Sequence, residues 1–274
     1  MKRSGSNKDF FKGLRVAILI DGSFFLKRYR FIYGRKPPDK VAADLFTFAM
    51  RHVEDDYLYR LLFYDCRSLD KKAHNPITGK AVDFSKTDEY KWRMAFYDHL
   101  KKKRKVALRL GFVSSNNNWL IKPIKTKELL EKKIEISDLS ENDVYFEMRQ
   151  KGVDIKIGTD ITSMALKRAV DKIILVSGDS DFVPAAKQAR REGIDFLLDP
   201  MWNHINPDLF EHIDGLRSTC DRPGPPQLPL PQKTDPLSGQ AAQPDLPQRR
   251  LHPLLVLHPG LLHQPVLPGP RHIL

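Results

Sequence analysis

Asp179 and Asp181 end the string Ile173-Ile174-Leu175-Val176-Ser177-Gly178-Asp179-Ser180-Asp181. Its apolar, β-branched part reads as a buried strand, and its Gly-Asp-Ser-Asp part as the turn that stops it. Val16-Ala17-Ile18-Leu19-Ile20 runs in the same way into Asp21-Gly22-Ser23. Open α/β sheets bind ligands beyond the carboxyl ends of their strands, so both turns bring carboxylates to a place suited to chemistry. Asp154, in Lys151-Gly152-Val153-Asp154-Ile155-Lys156, and Asp160, just before Ile161-Thr162-Ser163-Met164, lie in segments that can converge on the same cleft. Gathered carboxylates repel one another unless a divalent cation neutralises them. Oxygen donors without His or Cys beside them suit Mg²⁺ or Mn²⁺ rather than zinc. Such an ion acidifies a bound water and stabilises charge on a phosphoryl oxygen.

Each aspartate also has an ordinary reading. Asp160 and Asp181 stand where helix N-caps are expected, and Asp21-Gly22-Ser23 is common turn chemistry. Joint placement at strand ends sets Asp21 and Asp179 apart. Asp154 and Asp160 are six residues apart, and would share a face of an unbroken extended run.

The elements that must hold these residues alternate. Strands are expected at 15–20, 58–65, 106–113, 153–157, 172–177 and 194–198. Helices are expected near 39–53, 87–103, 141–150, 160–170, 182–192 and 207–213. Such alternation implies an α/β fold with a mostly parallel sheet and helices on both faces. Residues 114–140, with their Asn-rich start and Lys-rich remainder, read as an irregular insertion on the sheet's rim.

Composition changes after Ser218. Residues 219–274 hold 13 of the 20 prolines, one lysine and no Phe, Tyr or Trp, which predicts disorder. The expected organisation is a polar arm over 1–14, one domain over 15–217, and a Pro/Leu/His-rich tail over 218–274. The chain of 274 residues carries a net charge of +12. The tail's three acidic and five basic residues leave +10 on the body, so affinity for polyanions belongs to the folded part. Two cysteines, Cys66 and Cys220, provide neither a disulfide framework nor a zinc cluster. Met1 to Gly13 is polar and no apolar run is long enough to span a bilayer, so neither a secretory signal nor a membrane partner is expected, and the cytoplasm is the expected location.

Taken together, four strings resemble the NYN domain, in the LabA-like branch of the PIN-like ribonuclease superfamily. They are Ala17-Ile18-Leu19-Ile20-Asp21-Gly22-Ser23-Phe24-Phe25, Gln150-Lys151-Gly152-Val153-Asp154, Thr159-Asp160, and Leu175-Val176-Ser177-Gly178-Asp179-Ser180-Asp181-Phe182-Val183-Pro184. In order and spacing they cover about residues 15–200. The resemblance implies a PIN-like three-layer α/β/α fold and hydrolysis of RNA phosphodiester bonds with Mg²⁺ or Mn²⁺. It assigns Asp21, Asp160, Asp179 and Asp181 to catalysis and metal binding, with Asp154 as a further metal-site carboxylate. One position departs from the pattern: many relatives carry Asn shortly after the first Asp-Gly, and here Phe24 follows Ser23.

RNA is the expected partner, and self-association is left open. Phosphate contacts are expected from Ser23, Lys27 and Arg28 near the first acidic turn. Lys101, Lys102, Lys103, Arg104 and Lys105 form a second candidate patch, although cations at a helix C-terminus also suit its dipole. Trp119, among lysines, is a candidate for stacking on a base. Two other readings stay open. A PIN-like module that binds RNA or protein without cutting is one. A phosphatase of haloacid dehalogenase type is the other, disfavoured because Ser23 stands where that mechanism needs a second Asp.

Overall fold

The computed structural model describes residues 13–114 and 118–224. In chain order the elements begin with β1 (Arg15–Asp21), α1 (Gly22–Tyr33), α2 (Pro38–Val53) and β2 (Tyr57–Cys66). A small hairpin, β3 (Lys72–His74) and β4 (Ala81–Asp83), precedes α3 (Asp88–Lys101) and β5 (Val106–Ser114). Next come β6 (Trp119–Ile121), α4 (Pro123–Leu130), β7 (Val144–Phe146), β8 (Arg149–Lys151) and α5 (Val153–Leu166). The last elements are β9 (Lys172–Val176), α6 (Val183–Arg191), β10 (Asp195–Asp199), α7 (Pro207–Phe210) and β11 (Gly215–Leu216).

The main sheet runs β11-β10-β9-β1-β2-β5-β8, with six strands parallel and β8 antiparallel at the edge. The chain builds outward from β1 through β2 to β5, then crosses to the other side of β1 and continues through β9 to β10. The direction of winding therefore reverses between β1 and β9. Alternate residues of β1 feed two cores, as expected of a strand covered on both faces. Val16, Ile18 and Ile20 pack with Phe25, Tyr29, Leu45 and Phe96 of α1, α2 and α3. Ala17 and Leu19 pack with Val153, Ile157 and Ile161 of α5 and Ala185, Ala186 and Ala189 of α6. The result is the expected three-layer α/β/α arrangement.

Three local expectations need correction. Residues 153–157, read as a strand, form the first turns of α5. A strand would bury Val153, Ile155 and Ile157 together, whereas here Val153, Ile157 and Ile161 are buried and Ile155 is 76% exposed, a spacing close to 3.6. Residues 141–150, read as a helix, instead hold a 3₁₀ turn (Glu141–Asp143), β7 and the start of β8. The segment 22–33, not read as helical, is α1, with Phe25 and Tyr29 one turn apart on its buried side.

The remaining strands sit outside the main sheet: β6 and β7 pair with each other, as do β3 and β4. Packing also continues past the expected boundary at 217. Thr219 and Cys220 are buried, Thr219 Oγ1 donating to the Phe48 carbonyl at 2.9 Å. Most of the expected arm (1–12) and of the expected tail (225–274) lies outside the described residues. Among the described residues no helix is long and apolar enough to cross a membrane.

The step from β1 into α1 leaves no room for a side chain at Gly22. A Cβ there would meet the Tyr64 carbonyl oxygen at 2.5 Å and the Phe63 ring at 2.6 Å. Gly22→Ala is therefore expected to cost about 1–3 kcal/mol through overpacking. A thermal melt followed by circular dichroism should show a midpoint lower by several degrees, and an unchanged midpoint would contradict this packing.

Candidate functional site

The reversal between β1 and β9 opens a crevice at the carboxyl ends of both strands, where doubly wound sheets bind ligands. Asp21 stands on the β1 side. Its Oδ1 caps α1, accepting the Phe24 backbone N–H at 3.1 Å. Its Oδ2 accepts the Ser177 hydroxyl at 3.3 Å, from the residue just after β9. Ser177 Oγ also accepts the Asp179 backbone N–H at 3.3 Å, so one fully buried hydroxyl ties the two acidic turns together. Asp179 in turn accepts the Asp181 N–H at 3.0 Å, which shapes the Ser180–Phe182 turn leading into α6.

The carboxylates are coupled electrostatically. Burial, followed by the charge of Asp154, pushes the Asp21 carboxyl up to about 6, against the hydrogen bonds from Phe24 and Ser177. Asp154, in the first turn of α5, is also raised, first by desolvation and then by Asp179 and Asp181. Asp154 thus links Asp21 on β1 with the turn that carries Asp179 and Asp181. No Lys, Arg or His pairs with any of the four among the described residues.

Several other aspartates of the domain are paired. Asp65 meets Arg93 at 2.7 Å, Asp199 meets His52 at 2.8 Å, and Asp171 meets Arg15 at 2.7 Å. Asp160, expected in the acidic set, belongs to this paired class. Its Oδ2 accepts Arg109 Nε at 2.8 Å and the Tyr64 hydroxyl at 2.8 Å. Helix geometry explains the separation. Six residues along an α-helix turn a side chain to about 120° from its starting direction, so Asp154 and Asp160 diverge once 153–166 is helical.

The expected phosphate contacts also sort themselves. Ser23 and Lys27 are exposed on α1 beyond Asp21. The Arg28 guanidinium instead donates to the Met201 carbonyl, at 2.8 Å from Nη2, and stacks over Phe31. Lys101–Lys105 does not join the site. Asp21 is level with Tyr64 and Arg109 across β2 and β5, and Lys105 precedes Arg109 by four residues, about 13 Å toward the opposite end of the sheet. There Lys101 pairs with Asp98, Lys103 lies over Phe46, and Lys105 lies over Tyr57 and donates to the Leu58 carbonyl. Lys102 and Arg104 are exposed beside them. Trp119 packs edge-on against Phe146.

Sequence reasoning missed one residue beside the site. Asn203, in the loop after β10, places Nδ2 3.5 Å from where a Cβ on Gly178 would stand, and the Phe24 ring comes within 2.9 Å of the same point. The loop holds two consecutive non-glycine residues in the left-handed region, Met201 (φ 47°) and Trp202 (φ 62°). Asp199 accepts the Met201 N–H at 2.8 Å, Ser218 Oγ accepts the Trp202 N–H at 3.0 Å, and Arg28 holds the Met201 carbonyl. Such strain persists only where surrounding contacts over-determine it. Trp202-Asn203 looks like an ordinary loop in sequence, so no signal marked it.

Residues 89–211 match the NYN domain family. The matched span holds Asp154, Asp160, Asp179 and Asp181 and leaves β1, with Asp21, outside it. A crystal structure of a protein of unknown function from Vibrio parahaemolyticus is similar at 16% identity and a TM-score of 0.43, covering 80% of this chain and 98% of that one. No curated protein matches the sequence.

Two tests follow from this geometry. The raised Asp21 carboxyl means that, between about pH 4 and 6, the folded protein keeps a proton the unfolded chain has lost. Stability from this group is present in acid and is lost as pH rises through that window, up to about 3 kcal/mol at 1.36 kcal/mol per pKa unit. With a chelator present, Asp21→Asn should raise the melting midpoint by several degrees above pH 7 and change it little near pH 4. Equal effects at both pH values would refute the assignment. Asp160→Asn should do the reverse, lowering stability by about 1–3 kcal/mol near neutral pH by weakening the partners of Arg109 and Tyr64. Urea denaturation reads this directly.

Proposed function

We propose that this chain is a metal-dependent ribonuclease of the PIN-like superfamily, LabA-like in type, hydrolysing RNA phosphodiester bonds at the crevice between β1 and β9. The observation that carries the reading is the contrast in charge pairing. Asp65, Asp160, Asp171 and Asp199 have cationic or His partners, whereas Asp21, Asp154, Asp179 and Asp181 have none among the described residues, and Asp154 acts on Asp21 while itself opposed by Asp179 and Asp181. A cation from solution relieves that repulsion, and the hard oxygen donors fit Mg²⁺ or Mn²⁺.

Among the described residues no three acidic, His or Cys side chains stand close enough to form a protein-only metal cage. That suits Mg²⁺, which usually takes one or two carboxylates and fills its remaining positions with waters and substrate phosphates. When bound, such an ion supplies an acidified water and charge stabilisation at the phosphoryl group. Asp21 and Asp179 are the proposed ligands, because Ser177 fixes both turns. Asp154 and Asp181, both exposed, orient water and take up its proton. The Asn203 amide stands ready to donate to a phosphate oxygen, a role the aromatic Phe24 cannot fill. The net charge of +12 gathers the polyanion. Two buried free cysteines fit a reducing compartment, the cytoplasm.

One observation favours the non-catalytic alternative. Phe24 lies against Gly178, so an apolar ring occupies part of the floor between the two acidic turns. Cleavage of labelled, mixed-sequence RNA in Mn²⁺, Mg²⁺ or EDTA separates the readings. The nuclease requires metal-dependent cleavage that Asp179→Asn lowers about 100-fold or more, with RNA affinity kept. RNA binding without cleavage, indifferent to metal, would establish the binding module instead.

A further inference from the structure

A second concavity lies at the same end of the sheet, between α3, β5 and the segment that follows β2. Its volume is about 580 Å³, and its lining includes Arg67, Lys71, Tyr90, Leu110 and Phe112. Arg67 directly follows Cys66, the last residue of β2, and so stands on the edge of the sheet that carries Asp21.

This groove combines uncommitted positive charge with an open aromatic face. Three arginines of the neighbouring elements are engaged: Arg93 with Asp65, Arg109 with Asp160, Arg28 with a carbonyl. Lys101, at the groove's far end, is paired with Asp98 at 2.9 Å. Arg67 and Lys71 are exposed, and neither side chain is engaged with another group among the described residues. Asp70 is the one carboxylate in the lining. Beside these cations Phe112 leaves 59% of its surface open, an unusual state for a phenyl ring on a sheet strand.

Phe112 also connects the groove to the acidic crevice. It pairs in register with Lys151, and a Cβ at Gly152 would lie 4.0 Å from its ring. Gly152 is the left-handed N-cap of α5, and Asp154 follows two residues later. Cations that track phosphates, interleaved with an open aromatic face, are the features that hold single-stranded nucleic acid without reading its sequence.

We infer that this groove is a binding track for single-stranded RNA, which leaves the acidic crevice across Phe112 and sets its phosphates against Arg67 and Lys71. The inference deepens the nuclease reading by locating the substrate path, yet its test does not depend on cleavage. Binding of the full-length chain to a short fluorescein-labelled RNA of mixed sequence is followed by anisotropy, in EDTA and over a salt series. For single strands the slope of log K against log salt falls by about 0.7 for each phosphate contact removed. The double variant Arg67→Ala/Lys71→Ala should therefore lose about 1.4 from its slope. Phe112→Ala should weaken binding roughly tenfold with the slope kept, as expected for a lost stacking face. Lys102→Ala/Arg104→Ala, at the opposite end of the sheet, should keep the wild-type slope. All altered side chains are exposed, and circular dichroism verifies folding. A wild-type slope in the groove variant, or an equal loss in the distant control, overturns the track. Absence of cleavage alone would overturn the nuclease and leave this measurement standing.

Discussion

Ser177 is where the two halves of the site are joined. The parallel pairing of β1 with β9 brings Ile20 beside Val176, so the next residues, Asp21 and Ser177, leave the sheet together. A buried hydroxyl at that point donates to one acidic turn and accepts from the other. A buried polar group must be satisfied, and this one is satisfied only when both turns adopt their observed shapes. The register of one strand pair therefore sets the two acidic turns side by side. The rest of the sheet keeps that register by burying β1 on both faces.

Charge is distributed with the same economy. Burying an unpaired carboxylate is unfavourable, and the fold avoids it at Asp65, Asp160, Asp171 and Asp199 by supplying a partner to each. At the crevice it does not, and Asp21 responds with a raised proton affinity. A buried carboxylate left without a cationic partner is a stability deficit above its raised pKa, and a cation held there would remove it. The deficit sits at the topological switch point, where the sheet offers a ligand room, which separates it from an incidental surface cluster.

The legible parts of the sequence were those in which pattern and burial have the same period. β1 and β9 are buried on both faces, and the apolar residues of β2, β5 and β10 also stand in short runs, so each strand is visible, and the turns after β1 and β9 follow from Gly and Asp. The Val153-Asp154-Ile155-Lys156-Ile157 segment misled because its β-branched residues alternate with polar ones, while the buried set continues at Ile161 and belongs to a helix. That error carried Asp160 with it. Once the segment is helical, Asp154 and Asp160 point apart, and Arg109, which sits far away in sequence, is free to claim Asp160. The Lys101–Lys105 run was misplaced for a different reason. A charge run shows its composition in sequence, but only the direction of β5 reveals at which end of the sheet it lies.

Asn203 and Phe24 show what no local pattern encodes. Phe24 brings an apolar ring to the turn at Gly178, within 2.9 Å of where a Cβ would stand. The same turn is approached by an amide carried on a strained loop, held by Asp199, Ser218 and Arg28. Arg28 and Phe24 are one helical turn apart on α1, so the helix that presents the ring also anchors the loop that presents the amide. This coupling makes Arg28 a structural cation rather than a phosphate ligand. It also means that a change of side chain at position 24 acts on the crevice directly, by its contact with Gly178, and through α1 on the position of Asn203.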